Sequence, residues 1–105
     1  MNLTETLKAR EKSYGEFRIN AAVSQQLKTV MRSAPQWANL EPFQREALEQ
    51  IASKLGRLLS ADHRHRDTWH DLAGYSTLVA ERVGLAPAGV VPEIDLTVCR
   101  DTAER

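Results

Sequence analysis

Cys99 is the only cysteine in this 105-residue chain, so no disulfide can form within it, as fits a reducing cytosol. Aromatic residues make up only 6%. Tyr14, Trp37, Trp69 and Tyr75 are too far apart to form a base-stacking platform and read more simply as core or interface residues. Neither sign of charge is in surplus, with 14 Lys and Arg against 14 Asp and Glu. No global field therefore gathers nucleic acid, and such a role would need a local patch. The apolar runs are a few residues long, far short of the roughly 20 that span a bilayer as a helix. The start, Met1-Asn2-Leu3-Thr4-Glu5-Thr6, is polar with an early acid, so no secretory signal is expected. Glycine and proline are few and sit mostly between periodic stretches, and there is no repeat or like-charge block.

What the chain does have is helical periodicity. Leu3 to Lys12 is rich in helix formers and predicts a short first helix or a frayed arm, stopping near Ser13-Tyr14-Gly15. Phe17 to Arg32 carries Ile19, Val23, Leu27, Val30 and Met31 on one stripe. Pro35 ends it, since proline disfavours helical backbone in the residue before it. Pro42 suits the first position of a third helix running to Ser60. There Ala47, Leu48, Ile51, Ala52, Leu55, Leu58 and Leu59 share one arc, opposite Glu46, Glu49, Gln50, Ser53, Lys54 and Arg57. After a polar loop, Asp67 is the expected N-cap of a fourth helix that extends to Val83 and closes at Gly84. Trp69, Leu72, Ala73, Ser76, Val79, Ala80 and Val83 form its expected core stripe. Asp67, Asp71, Gly74, Tyr75 and Leu78 lie on another side, in an arc too apolar to face bulk water alone. Pro87, Gly89 and Pro92 then end helical behaviour. Gly89-Val90-Val91 and Ile94-Asp95-Leu96-Thr97-Val98 are candidate extended pieces.

Asp67 and Asp71 are the strongest candidates for chemistry. Carboxylates four apart on a helix lie one turn from each other and can share a hard cation such as magnesium. One helix supplies too few ligands, so a second acidic helix must face it. Glu46 and Glu49 are the nearest candidates, ahead of Glu41 and Glu16. The same two aspartates equally suit a plain cap and a first-turn position favoured by the helix dipole. Lys54 and Arg57, three apart, can hold phosphate oxygens; they can equally pair with Asp67 or Asp71 across a helix interface. His63, His65 and His70 have poor spacing for zinc, with Arg64 and Arg66 between them. Cys99 has no neighbour that would activate a nucleophilic thiol.

Three segments carry a resemblance: Tyr14-Gly15-Glu16-Phe17, Glu46-Ala47-Leu48 through Lys54 and Arg57, and Asp67-Thr68-Trp69-His70-Asp71-Leu72-Ala73-Gly74-Tyr75. Over residues 10–83 the chain resembles a family of small phage and prophage proteins without a firmly assigned function. Its acidic fourth helix also looks like the second metal-binding helix of the MazG-like all-α nucleoside triphosphate pyrophosphohydrolases. That likeness implies magnesium held by an E-E-x-x-E helix and an E-x-x-D helix, with water attacking a triphosphate. Asp71 matches the aspartate of E-x-x-D, while Thr68 stands at its glutamate and Asp67 is one residue off. The first motif is present as Glu46-x-x-Glu49, with Arg45 at the preceding acidic position.

The expectation is an all-α bundle of three main helices and a short N-terminal one over residues 1–84, with an irregular tail over 85–105. Underused apolar residues on the fourth helix predict a homo-oligomer. Two functions are expected, both in the cytoplasm of a bacterial host cell. One is a MazG-like protein that binds, and in its active form hydrolyses, a nucleoside triphosphate, with Asp67, Asp71, Glu46 and Glu49 on magnesium and Lys54 and Arg57 on phosphate. The other is a non-enzymatic phage accessory protein that binds a host protein or a nucleotide signal, its charged cluster serving structure.

Overall fold

A computed structural model describes residues 2–85. The expected tail from residue 86 onward, with its two candidate extended pieces, lies outside the described residues. Those residues form the expected all-α fold: α1 (Leu3–Tyr14), α2 (Phe17–Ser33), a single 3₁₀ turn (Trp37–Asn39), α3 (Pro42–Ser60) and α4 (Arg66–Ala80).

Local chemistry sets each boundary. Asn2 starts α1 in a reciprocal capping box: its side chain accepts from the Glu5 N–H at 2.9 Å, and Glu5 accepts from the Asn2 N–H at 3.1 Å. The helix stops at Gly15, whose φ of 83° lies in the left-handed region. A Cβ there would also lie 2.9 Å from the Ser60 carbonyl oxygen at the end of α3. Glu16 caps α2 by accepting from the Ile19 N–H at 3.2 Å. Ala34 turns extended before Pro35, as the proline requires. Pro42 opens α3, where Gln44 accepts from the Glu41 N–H at 2.8 Å.

α4 departs from the expected bounds at both ends. Its N-cap is His65 and not Asp67; His65 Nδ1 accepts from the Thr68 N–H at 3.3 Å and meets the Thr68 hydroxyl at 2.8 Å. Asp67 falls instead in the first turn, where the helix dipole favours a carboxylate. The helix ends at Ala80 and gives way to turns before Gly84, which has φ 104°.

α3 is the centre of the molecule. α2 packs along one flank and α4 along the other, while α2 and α4 share no substantial contact. α1 touches the ends of α2 and α3. On the α2 flank the helices approach closely because the facing residues are small: a Cβ on Gly56 would lie 2.9 Å from the Asn20 carbonyl oxygen and 3.3 Å from Ser24 Cβ. Ser24 and Ser53 hydroxyls meet there at 3.4 Å. Among the described residues the buried apolar ones are Ala47, Ala52 and Leu58, all on α3, and no large side chain is fully buried.

The three main helices therefore form an open layer, and this corrects part of the expected core. On α4, Leu72 and Val79 are half-buried, but Trp69, Ala73, Ser76 and Ala80 are exposed, as is Val83 in the turns that follow. Ile19 and Val30 on α2, and Leu48 and Leu59 on α3, are also exposed. The reason is geometric. The apolar arc of α3 is centred between its two packed flanks, so neither neighbour covers it fully.

Two glycine substitutions should have opposite signs in chemical denaturation. Gly56→Ala should destabilise by about 1–3 kcal/mol, as overpacking at Asn20 outweighs the better helix propensity. Gly74→Ala, with no atom within 4 Å of the new Cβ, should stabilise by about 0.5–1 kcal/mol.

Candidate functional site

The charged arcs of α3 and α4 do meet, at one point. Lys54 Nζ lies 2.9 Å from Asp71 Oδ2 across the α3–α4 interface. The lysine side chain is 16% exposed and the aspartate 46% exposed, so the amine is drawn in while the carboxylate keeps contact with water. The hydrogen bond from Lys54 holds Asp71 below the ordinary aspartate value of 3.8, against an upward push from partial desolvation. The fields of Lys54, His70 and Arg57 act in the same downward direction.

That contact also fixes how far the other acids stand from Asp71. The short loop between the helices makes α3 and α4 antiparallel, so levels on one run opposite to levels on the other. With Lys54 level with Asp71, Glu46 lies eight residues earlier on α3, about 12 Å away along the axis at 1.5 Å per residue. Asp67 is displaced in the opposite sense. Glu49 turns to the other flank, where Arg32 Nε donates to its Oε1 at 3.0 Å. Glu46 accepts from the Gln50 side chain at 3.0 Å. Asp67 is exposed. As placed, these four carboxylates do not make a shared cation site. Among the described residues no group of three or more His, Cys, Asp or Glu is arranged to hold a metal ion.

Lys54 and Arg57, one turn apart, also go separate ways. Arg57 stacks its guanidinium over the Tyr14 ring at 4.8 Å. Tyr14 in turn meets His65 edge-on with ring centroids 5.3 Å apart. This stack ties the ends of α1 and α3 to the start of α4.

Arg57 also lines a cleft of about 630 Å³ beneath α1, together with Tyr14, Phe17, Gln25, Lys28 and Ser53. The walls carry Arg10, Lys28 and Arg57 against Glu11 and Glu16, the last already engaged in capping α2 and pairing with Arg18 at 3.1 Å. Cations beside an aromatic ring suit an anionic or planar ligand. Sequence spacing alone does not bring Lys28, Gln25 and Phe17 to this site, because they come from α2 and their meeting with Arg57 depends on the helix crossing. A second, shallower hollow of about 340 Å³ lies along α4 between His70, Asp71, Gly74, Tyr75 and Leu78. There Tyr75 is half-buried, while Gly74 and Leu78 are exposed.

Arg45, at the position where the MazG-like pattern has an acid, serves the fold. It donates to the carbonyl oxygens of Trp37 at 3.3 Å and Ala38 at 3.1 Å, and its guanidinium lies 5.9 Å from the Trp37 ring centre.

No family model matches the chain, and neither the curated proteins nor the solved structures compared with it include a significant match. Among the described residues no helix is long and apolar enough to cross a membrane.

The Lys54–Asp71 pair should make stability depend on acid. Asp71 titrates lower in the fold than in the unfolded chain, so its contribution is complete above the ordinary aspartate value and is lost as pH falls through the lower folded value. Thermal melts between pH 5 and pH 2 (conditions spanning roughly that range) should fall less steeply for Asp71→Asn than for the wild type.

Proposed function

We propose that this chain is a non-enzymatic helical protein that acts by binding, with its Asp, Lys and Arg cluster serving the fold. The observation that carries this reading is the pairing of Asp71 with Lys54 and of Glu49 with Arg32, on opposite flanks of α3. A carboxylate held by a cationic side chain is a poor ligand for magnesium, because binding the metal means breaking a charge-assisted hydrogen bond. The resemblance to small phage proteins favours an accessory role inside a bacterial host cell.

A second reading, nucleotide binding, draws on the cleft beneath α1. Its volume is within the range of small-molecule sites, and Tyr14, Arg57 and Lys28 offer a ring face and two cations. In this reading the phosphate contacts are Arg57 and Lys28, and Lys54 has no part in them. Magnesium on Asp67, Asp71, Glu46 and Glu49 would require a rearrangement that breaks both ion pairs.

Calorimetry with magnesium and nucleoside triphosphates, together with a pyrophosphate-release assay, tests these readings. The expected outcome is no release, and no magnesium binding that Asp71→Ala abolishes, while Asp71→Ala lowers the melting temperature by a few degrees. Hydrolysis lost in Asp71→Ala and Glu49→Gln would overturn the non-enzymatic reading. Magnesium-independent nucleotide binding lost in Arg57→Ala but kept in Asp71→Ala would support the second.

A further inference from the structure

The three main helices sort their side chains onto two faces of the layer. At 100° per residue, the arc of α2 centred on Val23 and Val30, that of α3 on Leu48 and Leu55, and that of α4 on Trp69 and Ser76 contain no charged residue. The antiparallel run of neighbouring helices turns all three arcs to the same side. Lys28, Arg32, Glu46, Lys54, Arg57, Asp67 and Asp71 fall on the opposite side, where the two cross-helix ion pairs and the cleft beneath α1 lie.

The uncharged face is left largely open. Val30 and Leu59 are each 69% exposed and Trp69 is 53% exposed, with Ile19 and Leu48 exposed on the same face. These side chains present on the order of 600 Å² of apolar surface, at the upper end of what monomers leave open and close to the share of one partner in a standard interface. A stable domain generally needs two packed layers, and the described residues build one, with no large side chain among them fully buried.

We infer that this face is covered by the same face of a second copy of the chain, making a two-layer homodimer across a two-fold axis. Three features favour a second copy over another partner. The face carries no charge for a different protein to recognise. Two copies facing each other bring no like charges together, because the charged side chains point outward from both layers. An identical relief of three helices also supplies matching ridges and grooves by symmetry. The partner is needed continuously, since the single layer has so little core, and a second copy is present wherever the first is. The inference does not depend on whether the chain binds nucleotide, because the cleft beneath α1 opens on the charged side.

Light scattering and sedimentation of the full chain, from micromolar to hundreds of micromolar, should give twice the 11.8 kDa chain mass. Hydroxyl-radical footprinting of that wild-type species should protect Val30, Leu59 and Trp69 and label Phe17 and Leu78. Leu59→Glu should give the single-chain mass, or lose helical circular dichroism at concentrations where the wild type is folded. Leu78→Glu, on the charged face, should stay dimeric. A monomer at all concentrations would overturn the inference, whether its apolar face is labelled or is protected by the rest of the chain. A dimer that labels Val30, Leu59 and Trp69, or one that survives Leu59→Glu, would overturn it equally.

Discussion

The grip on α3 from two flanks is the constraint on which this molecule depends. Gly56 and Ser24 let α2 come close enough for backbone and hydroxyl to meet, and Lys54 draws α4 in from the other flank through Asp71. A helix held on both flanks cannot also turn its apolar arc fully toward either neighbour. The result is a layer and not a closed bundle, and the sparse buried set of Ala47, Ala52 and Leu58 follows directly.

The same arrangement decides what the charges do. Each cross-helix pair joins α3 to one neighbour: Arg32 to Glu49 on the α2 flank, Lys54 to Asp71 on the α4 flank. A partly exposed pair contributes little to net stability, but it penalises slippage of one helix along the other, since a one-turn slide separates the charges by about 5 Å. The pairs act as register marks for helices whose contact surfaces are small. The cleft beneath α1 lies on the same charged side, and its ring and cations are the groups there best placed to receive a ligand.

Helix existence was legible in the sequence, and the assignment of faces was legible only in part. Apolar spacing, Pro35 and Pro42 located α2 and α3, because these signals act within a turn or two of chain. Composition alone puts the N-cap of α4 at Asp67, two residues later than the structure has it. Asp67 is a better N-cap by composition, yet His65 takes the position because its ring also bonds the Thr68 hydroxyl and meets Tyr14 edge-on. The stripe on α4 exists but is only partly core, since periodicity reports an apolar face and not what covers it. Helical spacing allows Lys54 to pair with Asp71 across an interface. It gives no sign of Arg57 on Tyr14, a contact that joins residues 43 apart through the packing of α1 against α3.

The absence of substantial contact between α2 and α4 has a consequence for how the chain assembles. Its main helices pack chiefly on their neighbours along the sequence, so the described residues form two overlapping hairpins that share their middle helix. Such local topology permits rapid folding, and either hairpin can serve as the nucleus. During synthesis the α2–α3 hairpin leaves the ribosome first and can close, through Gly56 and Ser24, before α4 has emerged. A hairpin that closes at that stage is the one held by small residues at close range, leaving the one stitched by Lys54 and Asp71 to follow once α4 is available.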